Sequence, residues 1–201
     1  MLHRNHLQTC QPSRNDGTWS LPVEDTSPMA LPERFIREAH ALGCVVRSFS
    51  DTQQAAEHVL NLIAPDTSIQ SWDPAHIPLP GLADALASVG IRITPSSAAC
   101  RIGLTGAAAA LAGTGSLILT AGPGRPRQAS LVPAIHIAVI TSEQILPDFD
   151  TWVATQHTND YQDFRSSRNI MVISGPSRTG DIANILVRGV HGPKTLHIII
   201  V

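Results

Sequence analysis

The chain has 201 residues, 43% of them hydrophobic and 15% charged, which supports one domain with a real core and excludes a disordered chain. A formal net charge of −2 leaves no basic surplus to neutralise phosphates and argues against a nucleic-acid or anionic-membrane partner. No apolar run approaches a membrane span, and Cys10, Cys44 and Cys100 are too far apart for a metal or iron–sulfur spacing, so a cytoplasmic, reduced setting is the simplest reading.

Residues 1–28 are polar, carry Pro12, Pro22 and Pro28 and show no apolar period; they read as a flexible N-terminal extension ahead of an α/β domain over 29–201. His3 and His6 in that leader read as solvated. From Leu31 the pattern turns helical: Pro32 suits a helix start, Leu31, Phe35, Ile36, Ala39 and Leu42 share a face, and Gly43 closes the helix. Cys44 to Phe49 reads as a strand. Asp51 with Gln54 resembles a capping box for a helix through Ile63, stopped by Pro65. Ser68 to Trp72 is the next strand, Leu82 to Val89 an amphipathic helix ended by Gly90, and Ile91 to Ile93 a strand again. Alternation of this kind predicts a single-domain, open, mostly parallel sheet flanked by helices. Arg34, Arg37, Glu38, His40 and His58 read as wet helix faces.

In the second half, Ile102 to Thr105 predicts a strand and Gly106 to Ala112 a small-residue helix lying close to the sheet. Gly113-Thr-Gly-Ser116 then feeds a strand through Thr120. A phosphate-binding loop feeds a helix and carries Lys, so this loop is either a tight turn or a pocket wall that includes Ser116. Ala121 to Arg127 is a turn-rich connection in which Arg127 either attracts an acidic ligand or is solvated. In the strand Ala134 to Ile140, His136 is either a sheet residue satisfied by a neighbour or a group reaching a pocket. Ser142 to Gln156 reads as a helix interrupted by Pro147.

Ile170 to Ile173 reads as a buried strand, broken by Ser174-Gly-Pro176. Ser177 or Thr179 would cap a following helix, with Asp181 in its first turn and Gly189 at its end. Gly175, Ser177, Arg178 and Thr179 would then offer amides, hydroxyls and a guanidinium to one anion, phosphate or carboxylate, at the carboxyl ends of the strands. The plainer alternative is an ordinary turn whose hydroxyls only cap. Leu196 to Val201 is a continuous apolar strand, expected to be buried on both faces and to tie this end of the chain into the sheet.

Five segments in register resemble the LUD domain family, in its lactate-utilisation protein C-like branch. They are Ile102-Gly-Leu-Thr-Gly106; Gly113-Thr-Gly-Ser-Leu117; Gly122-Pro-Gly124 with Arg127 and Ser130 to Val139; Gly175-Pro-Ser-Arg-Thr179 with Asp181-Ile182; and Gly189-Val-His-Gly-Pro193. The resemblance implies a fold similar to the sugar-isomerase and CoA-transferase-like superfamily. It also implies an accessory or ligand-binding subunit in the oxidation of L-lactate to pyruvate, with iron–sulfur clusters held by partner subunits and no cofactor in this chain. A stand-alone ligase or transferase acting on a phosphorylated or acyl-CoA substrate is the alternative, by fold analogy. The sequence departs from the family at Ala108 and Gly113, where relatives often carry acidic residues.

Overall fold

The computed structural model describes residues 30–94, 99–182 and 185–201; the N-terminal extension, with His3, His6 and Cys10, lies outside the described residues. In chain order the elements are α1 (Ala30–Ala41), β1 (Val45–Ser48), α2 (Thr52–Ile63), β2 (Ser68–Ser71), α3 (Leu82–Ser88), β3 (Arg92–Thr94) and β4 (Ile102–Thr105). Then come β5 (Ala109–Leu111), β6 (Ser116–Ala121), β7 (Ile135–Ile140), β8 (Ile145–Leu146), α4 (Phe149–Thr158) and α5 (Gln162–Ser166). The chain closes with β9 (Asn169–Ile173), β10 (Arg178–Ile182), β11 (Ile185–Arg188) and β12 (Thr195–Ile200).

Six strands form a wholly parallel sheet in the order β1-β12-β7-β4-β2-β3. Among its interior strands, β12 and β7 pair as two β-branched runs whose inner residues are almost entirely buried, as a strand covered on both faces requires. Alternation divides these strands between the faces. Leu104, Ile137, Ile199 and His197 share the face on which His197 approaches His58 of α2. Gly103, Thr105, His136 and Leu196 share the other.

A second sheet, in the order β8-β5-β6-β9, is mixed: β5 and β9 run antiparallel to β6, while β8 runs parallel to β5. Its presence corrects two sequence expectations. The small-residue run Gly106 to Ala112 is not a helix but contains β5, whose Ala109, Ala110 and Leu111 are all buried between β6 and β8. Alanine has the highest helix propensity, but that is a weak prior, and two flanking strands override it. Ser142 to Gln156 likewise splits into a 3-10 turn, β8 and α4, with Pro147 in the break.

The third correction falls on the C-terminal loop. Instead of a helix after Ser177, β10 and β11 form an antiparallel hairpin, with Thr179 opposite Val187 and Ile182 opposite Ile185. Ile185-Leu-Val187 is a β-forming run, and the i, i+3 spacing of Ile182 and Ile185 marks a cross-strand pair rather than a helix stripe. Ser177 and Thr179 therefore cap no helix, Asp181 occupies no first turn, and no helix dipole supports an anion there.

The early elements follow their local chemistry. Asp51 accepts a hydrogen bond from the Gln53 amide at 2.8 Å and starts α2. Asp51→Ala should cost about 1 kcal/mol in urea unfolding, the usual worth of such a cap; an unchanged midpoint would show α2 held by packing alone. At the end of α1, Gly43 takes φ 85° while Cys44 N–H reaches Ala39 O and Gly43 N–H reaches His40 O, the paired bonds of a glycine-terminated helix.

Candidate functional site

A cleft of about 320 Å³ opens at the amino ends of β7 and β12, where the loop after β9 meets the turns before those two strands. Ser130, Leu131, His136, Val172 to Arg178, His191 to Pro193 and Leu196 line it. The sequence placed this loop at the carboxyl ends of the parallel strands. Because β9 belongs to the second sheet, its loop arrives at the opposite end. A larger groove of about 570 Å³ beside α2 contains Glu57 and Asp66 and no cationic side chain, so it does not suit an anion.

Gly175 follows β9 with φ 85°, and a Cβ there would lie 3.0 Å from the Leu42 carbonyl at the end of α1. Only glycine meets both conditions without strain. Arg178 is exposed and donates one hydrogen bond to that same Leu42 carbonyl, one that the helix itself cannot satisfy. No carboxylate pairs with Arg178 among the described residues. The Ser177 amide is occupied by Pro193 O at 2.9 Å, which removes it as an anion donor and ties the loop to the turn before β12. Cys44, close enough to feel Arg178, remains a protonated thiol: burial pushes it up to about 11, against a smaller opposing pull from the guanidinium.

His136 forms the floor. It is buried, its Nε2 lies 2.8 Å from Thr105 Oγ1, and desolvation lowers its pKa to about 3. It is therefore a neutral imidazole at physiological pH, able to hydrogen-bond a ligand but not to attract its charge. Both sequence alternatives for His136 hold together: a neighbour satisfies it, and it lines the cleft. Behind the wall, Thr114 Oγ1 donates to Ser116 Oγ at 2.9 Å, and Ser116 Oγ lies 2.8 Å from Ser174 Oγ. Ser116 is thus one bond removed from the cleft, reached through Ser174. Its loop is also the tight turn of the plainer reading, with Gly115 at φ 68° packed against the backbone of α1.

The structure brings His136, Gly175, Ser177 and Arg178 together, with Ser116 behind them. Arg127 does not join them; it is exposed at the start of the 3-10 turn Arg127–Ser130 and contributes its carbonyl to Ser130 Oγ at 3.0 Å. Thr179 lies in β10 outside the lining. Asp181 is also in β10, and its side chain is outside the described residues. The sequence reading missed Ser174, Ser130 and His191 as wall groups, although all three sit inside stretches already singled out. Nothing in the sequence signals the Leu42 carbonyl, 136 residues from Arg178. Ala108 and Gly113 lie on either side of β5, and neither lines the cleft.

The family model of the LUD domain matches residues 32–201. Lactate utilization protein C from an Exiguobacterium species is 37% identical over 100 residues, covering 50% of this chain and 44% of that protein. The Deinococcus radiodurans protein of the same name is 37% identical over 99 residues, covering 49% of this chain and 45% of its own length. The matched stretch thus spans less than half of either relative. Escherichia coli YkgG, described as uncharacterised, is 29% identical over 180 residues, 88% of this chain and 72% of that one. A crystal structure of a DUF162 family protein from Deinococcus radiodurans shares the fold with a TM-score of 0.62 at 22% identity, covering 88% of this chain and 99% of that one. With the model matched along nearly the whole described length, the chain belongs to the LUD domain family.

Proposed function

We propose that this protein serves lactate utilisation as an accessory, ligand-binding subunit. In this reading it holds a small organic acid such as lactate or pyruvate, while partner subunits carry iron–sulfur clusters and the redox chemistry. The names of its lactate utilization protein C relatives support the pathway. The observation that carries the binding role is Arg178, a cation without an acidic partner among the described residues, standing over a cleft walled by hydroxyls and floored by a neutral imidazole. A carboxylate would take the remaining guanidinium N–H groups, the arrangement in which arginine binds most strongly. The ligand's hydroxyl or keto oxygen would find Ser174, Ser177 or His136.

The test is a thermal-shift series with lactate, pyruvate, nucleotides and CoA on the full chain and on Arg178→Gln. A ligand at a hundred times its dissociation constant adds about 2.7 kcal/mol, which raises the midpoint of a chain this size by about 6 °C. Arg178→Gln should weaken a responding carboxylate at least tenfold, since a hydrogen bond to a charged group is worth about 1.5–3 kcal/mol. An unchanged shift in the variant would remove Arg178 from the site.

A further inference from the structure

The cleft runs directly into an open sheet edge. β9 pairs with β6 on one side; among the described residues, no strand lies on its other side and no backbone hydrogen bond of 169–173 goes anywhere but to β6. Soluble proteins protect such edges with charges, prolines or a covering element. Asn169-Ile-Met-Val-Ile173 carries neither charge nor proline, and Val172 at its centre is 52% exposed. The edge then leads, at its carboxyl end, into the Gly175–Arg178 loop and its cation.

We propose that this edge and loop together dock the carboxyl-terminal segment of another protein. The segment would add as a strand running in the same direction as β9, so that its terminal carboxylate arrives at Arg178. Five residues of edge span about 16 Å, enough to pair four or five residues of a peptide. The backbone ladder supplies affinity, and the terminal carboxylate fixes the register, a combination that strand-addition modules use for chain ends. Val172, Ile173, Leu131 and Leu196 give the last side chain of the segment an apolar seat. The proposal rests on the anion-holding reading of the Arg178 loop, but not on which small acid is held.

The experiment uses the labelled full chain on an array of randomised hexapeptides displayed with free carboxyl ends, beside a twin array whose ends are amidated. Retention is expected on free-acid sequences ending in an apolar residue, with signal at least tenfold lower on their amidated twins and on versions N-methylated at alternate residues. Val172→Asp, on an exposed side chain, should lower retention at least tenfold while leaving the melting temperature unchanged; Arg178→Gln should abolish the difference between acid and amide. A blank free-acid array, equal binding to the amidated twins, or full retention by Val172→Asp would each overturn the docking proposal. If lactate or pyruvate still shifts the midpoint through Arg178 while the array is blank, the small-acid reading survives and only the docking reading fails.

Discussion

Acidification from pH 6.5 toward 3 should cost the fold about 5 kcal/mol through His136 alone. The sign follows from which state holds the proton. Unfolded, His136 titrates near 6.5; folded, burial holds it neutral down to about 3. Between those values the unfolded chain binds the extra proton, so the contribution is complete above pH 6.5 and is lost as the pH falls toward 3. More than half of it falls between pH 6.5 and 4.5, where most carboxylates are still ionised. His58, lowered by burial and then by Arg47, and His197, lowered by burial and then by His58, act in the same direction. Urea unfolding at pH 7.5, 6.5, 5.5 and 4.5 measures the slope. His136→Gln retains a group able to bond Thr105 but cannot titrate, so its slope should be shallower by up to one proton. Equal slopes for parent and variant would show that His136 charges in the folded state, which would also change what the cleft floor offers a ligand.

The second large effect is expected at Gly103, which is central in the parallel sheet and lies under the 3-10 turn Arg127–Ser130. A Cβ there would sit 1.8 Å from the Ala129 carbonyl oxygen and 3.0 Å from Pro133 Cγ. The first obstacle is backbone, so no rotamer change relieves it; Ala129 is itself fully buried and the turn must lift. Gly103→Ala should therefore cost about 3 kcal/mol or more, at the upper end for overpacked cores. The displaced turn includes Ser130, which lines the cleft and leads into Leu131, so any ligand-induced shift should shrink in the same variant. A urea midpoint within about 0.5 kcal/mol of the parent, the range of an inconsequential surface change, would mean that the turn is loosely seated.

These expectations indicate which parts of the molecule the sequence could disclose. Periodicity found α1, α2 and α3, whose apolar residues recur at helical spacing, and the β-branched runs disclosed β7 and β12 as strands. It failed where local preference and tertiary pairing disagree. Ala107-Ala-Ala-Ala-Leu111 favours a helix in isolation, yet its small side chains suit a strand enclosed by β6 and β8. Ile182, Ile185 and Leu186 satisfy a helical stripe and a hairpin equally, and only the pairing of Ile182 with Ile185 separates the two. The site was legible as a cluster of residues but not as a location. Gly175, Ser177 and Arg178 are contiguous in sequence, whereas their placement beside His136 depends on β9 joining β6, a contact about 50 residues apart in the chain that no motif encodes.

The end of α1 has a wider consequence. Gly115 packs its backbone on Glu38 and Ala39, Gly175 packs on Leu42, and Arg178 is tethered to the Leu42 carbonyl. Two separate parts of the chain, the turn before β6 and the loop after β9, are thus pinned to one short stretch at the end of α1. A push on that stretch would be transmitted at once to the glycine turn before β6 and to the cation above the cleft.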